Sequence, residues 1–136
     1  MKILIADDEP HNRLLMEKIL APYGVCDLTV NGEEAVEACE LALTDQEPYD
    51  LICLDIMMPE MDGQEALTRI RTLERTHGID ESREAVIFMV TALNTEEQVV
   101  KAFFHGGCTD YIAKPVTRGV LLEKLHQYNL LPRADQ

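Results

Sequence analysis

Acidic residues stand at two places where an apolar run has just ended. Asp7-Asp8-Glu9 follows Ile3–Ala6, and Asp55 follows Leu51–Leu54. Two further runs deliver other polar groups, with Thr91-Ala92 after Ala85–Val90 and Lys114-Pro115 after Tyr111–Ala113. Three carboxylates brought together repel one another and raise at least one pKa unless a divalent ion neutralises them. Asp55, next to buried surface, is costly there without a cation or hydrogen-bond donors. A lysine held before a proline at a strand end adds a fixed positive charge. The set therefore suits oxygen ligation of a cation beside an ammonium group. Each member alone has a plainer reading: Asp8 as a helix cap, Lys114 as a surface lysine, Thr91 as an ordinary threonine. Four distant segments converging on one edge favour the joint reading.

Their convergence depends on the elements that carry them. The apolar runs Ile3–Ala6, Val25–Val30, Leu51–Leu54, Ala85–Val90 and Tyr111–Ala113 alternate with five stretches of helical periodicity. The first, third and fourth runs are nearly continuous, as strands are when helices cover both faces of a parallel sheet. The second alternates in part, which suits a place nearer an edge. A first helix is predicted from Pro10 to Leu20, with Leu15, Met16, Ile19 and Leu20 inward and proline in its first turn. A second follows Asn31, with Glu34 completing a capping-box-like start and Ala35, Val36, Cys39 and Leu43 inward. A third, about 64–75, buries Leu67, Ile70 and Leu73. A fourth starts near Asn94-Thr95, carries Val99, Val100 and Phe103, and stops at Gly106-Gly107. A fifth follows Thr117, with Val120, Leu121, Leu122 and Leu125 inward. Such alternation implies right-handed βαβ crossovers and an α/β fold with a doubly wound five-stranded parallel sheet and helices on both faces. Ligands of these sheets bind beyond the carboxyl ends of the strands, at the topological switch point. Residues 1–128 are read as one domain and 129–136 as a short tail. The long loop Thr76–Glu84 reads as a solvated excursion, with a partner contact there as the lesser alternative.

The 136 residues carry a formal charge of −13, which disfavours direct contact with nucleic acid or an acidic membrane surface. Cys26, Cys39, Cys53 and Cys108 lie far apart, with no metal-ligand spacing, and read as reduced core thiols. With no secretory leader pattern and no apolar run long enough to span a bilayer, a cytoplasmic location is expected. His11, His77, His105 and His126 are scattered and read as surface residues.

The order Asp7-Asp8, Asp55, Thr91-Ala92, Lys114-Pro115 resembles the receiver domain of two-component response regulators. The stretch Asp55-Ile-Met-Met-Pro-Glu-Met-Asp-Gly63 is similar to the family's phosphoacceptor segment. Gly107-Cys-Thr-Asp-Tyr-Ile-Ala-Lys-Pro115 is similar to its fifth-strand signature. The resemblance covers residues 2 to about 128 and implies the flavodoxin-like strand order 2-1-3-4-5.

It also implies roles. Asp55 accepts a phosphoryl group from a phosphohistidine on a sensor histidine kinase or phosphotransfer protein. Asp8, Asp55 and the Met57 carbonyl hold Mg²⁺ (Mn²⁺ is a substitute), and Asp7 acts through a metal-bound water. Lys114 and Thr91 contact phosphoryl oxygens, Ala92 leaves room for the group, and the bond before Pro115 is cis. Thr91 and Tyr111 form the switch. The fourth helix, fifth strand and fifth helix present the changed surface to a downstream target or to a second copy as a homodimer. Met57 and Leu93, both apolar, flank the path of an attacking water, so self-dephosphorylation is expected but slow. No output domain follows in the sequence, so a stand-alone regulator, a relay intermediate and a receiver cut from a longer protein all fit. Three rivals remain: a flavodoxin-like cofactor binder, a metal-dependent aspartyl phosphatase, and a receiver-like module that binds partners without phosphorylation. The first lacks a Ser/Thr/Gly-rich turn after its first strand, and the second wants a further acid near the nucleophile, where Asp55 is followed by Ile56 and Met57.

Overall fold

In the computed structural model, which describes residues 1–92 and 107–132, alternate strand residues separate two apolar layers. The parallel strands β1 (Lys2–Ala6), β2 (Val25–Thr29), β3 (Leu51–Asp55), β4 (Val86–Thr91) and β5 (Asp110–Ala113) stand in the order β2-β1-β3-β4-β5. Three helices, α1 (Pro10–Leu20), α2 (Gly32–Thr44) and α3 (Gly63–Thr76), and a C-terminal helix (Arg118–Gln127) cover the sheet. On one face Leu4, Ala6, Ile52, Leu54, Ile87 and Met89 share a cluster with Ala35 and Cys39 of α2 and Leu67 and Ile70 of α3. On the other, Ile3, Ile5, Leu51, Cys53, Phe88 and Val90 share one with Met16, Ile19 and Leu20 of α1 and Leu121 and Leu125 of the C-terminal helix. Burying each large side chain stabilises the fold by about 1.5–3 kcal/mol. The continuous apolar reading of the central strands follows from this two-sided burial. β2 is an edge strand, and Val25 is 70% exposed. The predicted fourth helix and Leu93 lie outside the described residues, as do His105 and residues 133–136.

Local chemistry sets the helix ends. Glu9 caps α1 by accepting from the N–H groups of His11 and Asn12, and Pro10 opens the first turn. Pro22 blocks its continuation, and a single 3-10 turn follows at Ala21–Tyr23. Asn31 caps α2 by accepting from Glu34 N–H at 2.8 Å. The Glu34 carboxylate returns to the N–H of Val30, one residue before the cap, rather than to Asn31 itself. Gln46, Gly78 and Asn129, all at positive φ, end α2, α3 and the C-terminal helix. At each, the next residue's N–H bonds back to the last turn (Glu47 to Ala42, Ile79 to Glu74, Leu130 to Leu125). Leu130 and Leu131 pack on the second apolar layer. All four cysteines are free, and burial pushes the Cys39 and Cys53 thiols up to about 12. No helix among the described residues is long and apolar enough to cross a membrane.

Three inward assignments are corrected. Leu15 is 42% and Val120 43% exposed, because each sits at the margin of its helix's buried stripe. Leu73 is half-buried, while Arg71 and Glu74 of α3 are buried. That pair closes the start of β4 as a strand would. Glu74 accepts from Ala85 N–H at 2.7 Å, and Arg71 donates to the Ala85 carbonyl at 2.8 Å and to Glu74 at 2.8 Å. Arg71 Nε also donates to the Gly107 carbonyl at 2.9 Å, just ahead of β5. A periodicity argument assigns such positions to apolar residues; here the two charges pair with each other and with main-chain groups at the strand starts. Arg71→Ala leaves the Glu74 carboxylate buried without its cation and should destabilise the domain by about 3–5 kcal/mol. Urea unfolding would measure the loss, and a change below about 1 kcal/mol would contradict it.

Candidate functional site

The sheet's carboxyl edge gathers the four polar segments. Asp7 leaves β1 fully buried. Its Oδ1 accepts from Glu9 N–H at 2.9 Å, and its carbonyl accepts from Arg13 Nη1 at 2.8 Å. Asp55 ends β3 only 3% exposed, held in register opposite Val90 of β4. Its Oδ1 accepts from Met57 N–H at 3.3 Å. Asp8 is exposed, and Glu9 rather than Asp8 caps α1, leaving the Asp8 carboxylate to the pocket. Oxygens of Asp7, Asp8 and Asp55 all lie within 4.8 Å of one another. Lys114 Nζ sits 3.4 Å from Asp7 Oδ2 and 3.3 Å from Asp55 Oδ2.

The other predicted residues lie on the same edge or just behind it. Thr91 is buried at the end of β4, and its carbonyl accepts from Lys114 N–H at 2.8 Å, tying the ends of β4 and β5 together. The Lys114–Pro115 peptide is cis. Ala92 is exposed beside Thr91. Tyr111 lies on β5, half-buried against the α2/α3 layer. Met57 directs an apolar side chain, 59% exposed, toward solvent. In the sequence Glu9 is one more member of the acidic run Asp7-Asp8-Glu9, and Arg13 carries no mark of a role. An acidic residue immediately before a proline at a helix start was the available signal for the cap. Nothing in the residue types marks Arg13 as a donor to the Asp7 carbonyl.

Three carboxylates facing one ammonium leave an excess of negative charge in a partly buried pocket. Burial first, and the Asp7 charge second, push the Asp55 carboxyl from 3.8 up to about 6, against the opposing pull of Lys114 and of Met57 N–H. Asp7 Oδ2 is buried without a hydrogen bond. An all-oxygen donor set with a buried, unbonded carboxylate oxygen fits a hard divalent cation such as Mg²⁺.

A doubly wound parallel sheet with three carboxylates and a lysine at its carboxyl edge defines an α/β domain with a candidate cation site. The family model of the response regulator receiver domain matches residues 3–126, and the chain belongs to that family. It is 35% identical over 137 residues to the signal transduction histidine-protein kinase BarA of Shigella flexneri, covering 98% of this chain and 13% of that protein. With hybrid signal transduction histidine kinase B of Dictyostelium discoideum the identity is 32% over 133 residues, covering 93% of this chain and 6% of that one. The chain thus spans a small part of the length of these relatives. Among solved structures it resembles a chain in the co-crystal of Saccharomyces cerevisiae Ypd1, a histidine phosphotransfer protein, with the receiver domain of Ssk1. There the TM-score is 0.80 at 28% identity, covering 98% of this chain and 94% of that one. The receiver domain of a Pseudomonas aeruginosa sensor histidine kinase, with magnesium coordinated in its active-site cleft, matches with a TM-score of 0.72 at 28% identity. That match covers 93% of this chain and 95% of the other.

Because the Asp55 value is raised on folding, its contribution to stability is present below about pH 4 and is lost as pH rises through about 6. With divalent metal removed, Asp55→Asn should therefore be more stable than the native chain at pH 7 by roughly 1–3 kcal/mol, and equal to it below pH 4. Urea titrations in chelator at several pH values test this; a variant less stable than the native chain at pH 7 would refute the repulsion.

Proposed function

We propose that this receiver domain takes a phosphoryl group onto Asp55 from a phosphohistidine on a sensor kinase or phosphotransfer protein. The observation that carries the proposal is the meeting of Asp7, Asp8 and Asp55 within 4.8 Å, with Lys114 facing two of them. Asp7, Asp8, Asp55 and the main chain of Met57 are the groups that would hold Mg²⁺. When bound, the ion supplies neutralisation of charge on the phosphoryl oxygens.

The chain's own groups account for the rest. A lone pair on an Asp55 oxygen forms the new O–P bond as the N–P bond of the phosphohistidine breaks, and that electron pair returns to the partner's imidazole nitrogen. The fixed strand end aims the carboxylate, which favours in-line attack. Lys114 adds a point charge to the equatorial oxygens, and the Thr91 hydroxyl donates to another. Thr91 and Tyr111 then act as the switch, biasing a population between two arrangements of β5 and the helices beside it. That surface serves a downstream target, or a second copy of the chain. A cytoplasmic setting is proposed with it, consistent with four free thiols. A cofactor-binding role is disfavoured because the acidic turn after β1 repels a phosphate unless a cation intervenes.

Incubation with Mg²⁺ and acetyl phosphate should add one phosphoryl mass to the native chain and none to Asp55→Asn or to a sample in chelator. Saturation with beryllofluoride should also shift the Tyr111 ring resonances toward a more buried environment. An unmodified native chain sinks the acceptor role; unmoved Tyr111 signals on a modified chain sink only the switch.

A further inference from the structure

The stretch between Asp55 and α3 carries the main chain proposed to meet the cation, so its position decides whether the pocket works. It is built tightly. Ile56 N–H donates to the Val90 carbonyl of β4 at 3.0 Å, and Gly63 N–H returns to the Ile56 carbonyl at 2.9 Å. Between them Met61 N–H donates to the Pro59 carbonyl at 2.8 Å across Glu60, which sits at φ 67. Such a conformation is disfavoured for a residue with a Cβ and persists where surrounding contacts hold it.

One of those contacts comes from α2. Gly32, its first residue, donates its N–H to the Met61 carbonyl at 3.2 Å. A Cβ on Gly32 would overlap the Met61 carbonyl oxygen and lie 3.0 Å from both the carbonyl carbon and Cβ of Met61. The neighbours cannot yield easily. Met61 is 6% exposed within the α2/α3 layer, and α2 is fixed at its start by the Asn31 cap and the Glu34 return to Val30. Only glycine lets the helix end and the loop approach closely enough to bond.

We infer that Gly32 is a positioning residue for the phosphoacceptor pocket, holding the 56–62 loop from the α2 side so that the Met57 main chain and the Asp55 carboxylate face the same cation. This rests on the function proposed above. Gly32 touches no reacting atom; it acts through the Met61 carbonyl. A methyl group there must displace the loop, the helix end, or both. Losing a partner that orients a metal ligand commonly weakens metal binding about ten- to a hundredfold.

The test compares the native chain with Gly32→Ala and with Gly119→Ala, whose added Cβ meets nothing within 4 Å. Calorimetry with Mg²⁺ alone, amide chemical shifts of the metal-free proteins, and the rate of labelling by acetyl phosphate are read together. Gly32→Ala is expected to weaken Mg²⁺ binding at least about tenfold and to slow labelling. It should also shift the Met57 and Met61 amides before any metal is added. Gly119→Ala should match the native chain. A folded Gly32→Ala protein with native Mg²⁺ affinity overturns the inference while leaving the acceptor role intact. A native chain that neither binds Mg²⁺ nor accepts phosphoryl overturns both. Should Gly32→Ala not fold, hydrogen exchange at the Gly32 amide of the native chain decides. Saturating Mg²⁺ slows that exchange if helix and pocket are coupled, and unchanged exchange refutes it.

Discussion

The organising constraint is electrostatic. A sheet buried on both faces ends in carboxylates that its own lysine only partly balances. Asp7 and Asp55 leave neighbouring strands whose paired residues, Ile3–Ala6 and Leu51–Leu54, are all buried and apolar, and both carboxylates are themselves buried. In that setting each negative charge raises the cost of the next, and Lys114 offsets only part of it. The arrangement leaves room in the charge balance for a cation beside the three carboxylates. The strands, caps and loop closures keep this uncomfortable arrangement from relaxing. Arg13 holds the Asp7 carbonyl, Asp7 holds Glu9 N–H, and Glu9 holds the start of α1, a chain of contacts that fixes the first acidic turn without consuming Asp8.

Much of this was legible in the sequence, for a physical reason. Parallel strands covered twice must be apolar along their length, so Leu51–Leu54 and Ala85–Val90 announced themselves, and whatever polar residue followed each was bound to lie at one edge. Asp55 and Thr91 were placed at that edge in this way, and α1 was bounded correctly by Pro10 and by the apolar stripe up to Leu20. The reading failed where a side chain's role depends on a partner remote in sequence. Arg71 and Glu74 look like solvated helix charges until the starts of β4 and β5 are placed beside them. Leu15 and Val120 look like core positions until the width of each buried stripe is known. Glycine 32 reads as an indifferent helix residue until the Met61 carbonyl stands against it.

Main-chain groups recur as the receiving end of these contacts. The carbonyls of Asp7, Met61, Ala85, Thr91 and Gly107 each accept from a residue of another element or turn. Side-chain identity at the accepting position then matters little. Met57, Met58 and Met61 can be flexible apolar residues around a charged pocket because the backbone supplies the polar contacts there.

The division of the interior into two apolar layers has a bearing on how such a domain tolerates change. Leu4 and Ile52 belong to one layer, and Ile3 and Leu51, their immediate neighbours in the strands, belong to the other. The sheet's backbone is a common wall between two separately packed compartments. Substitutions that reshape the α2/α3 side to suit a new binding partner need not be matched by compensating changes under α1. One flank of the molecule can thus diversify while the opposite flank, and the charged rim between them, stay as they are.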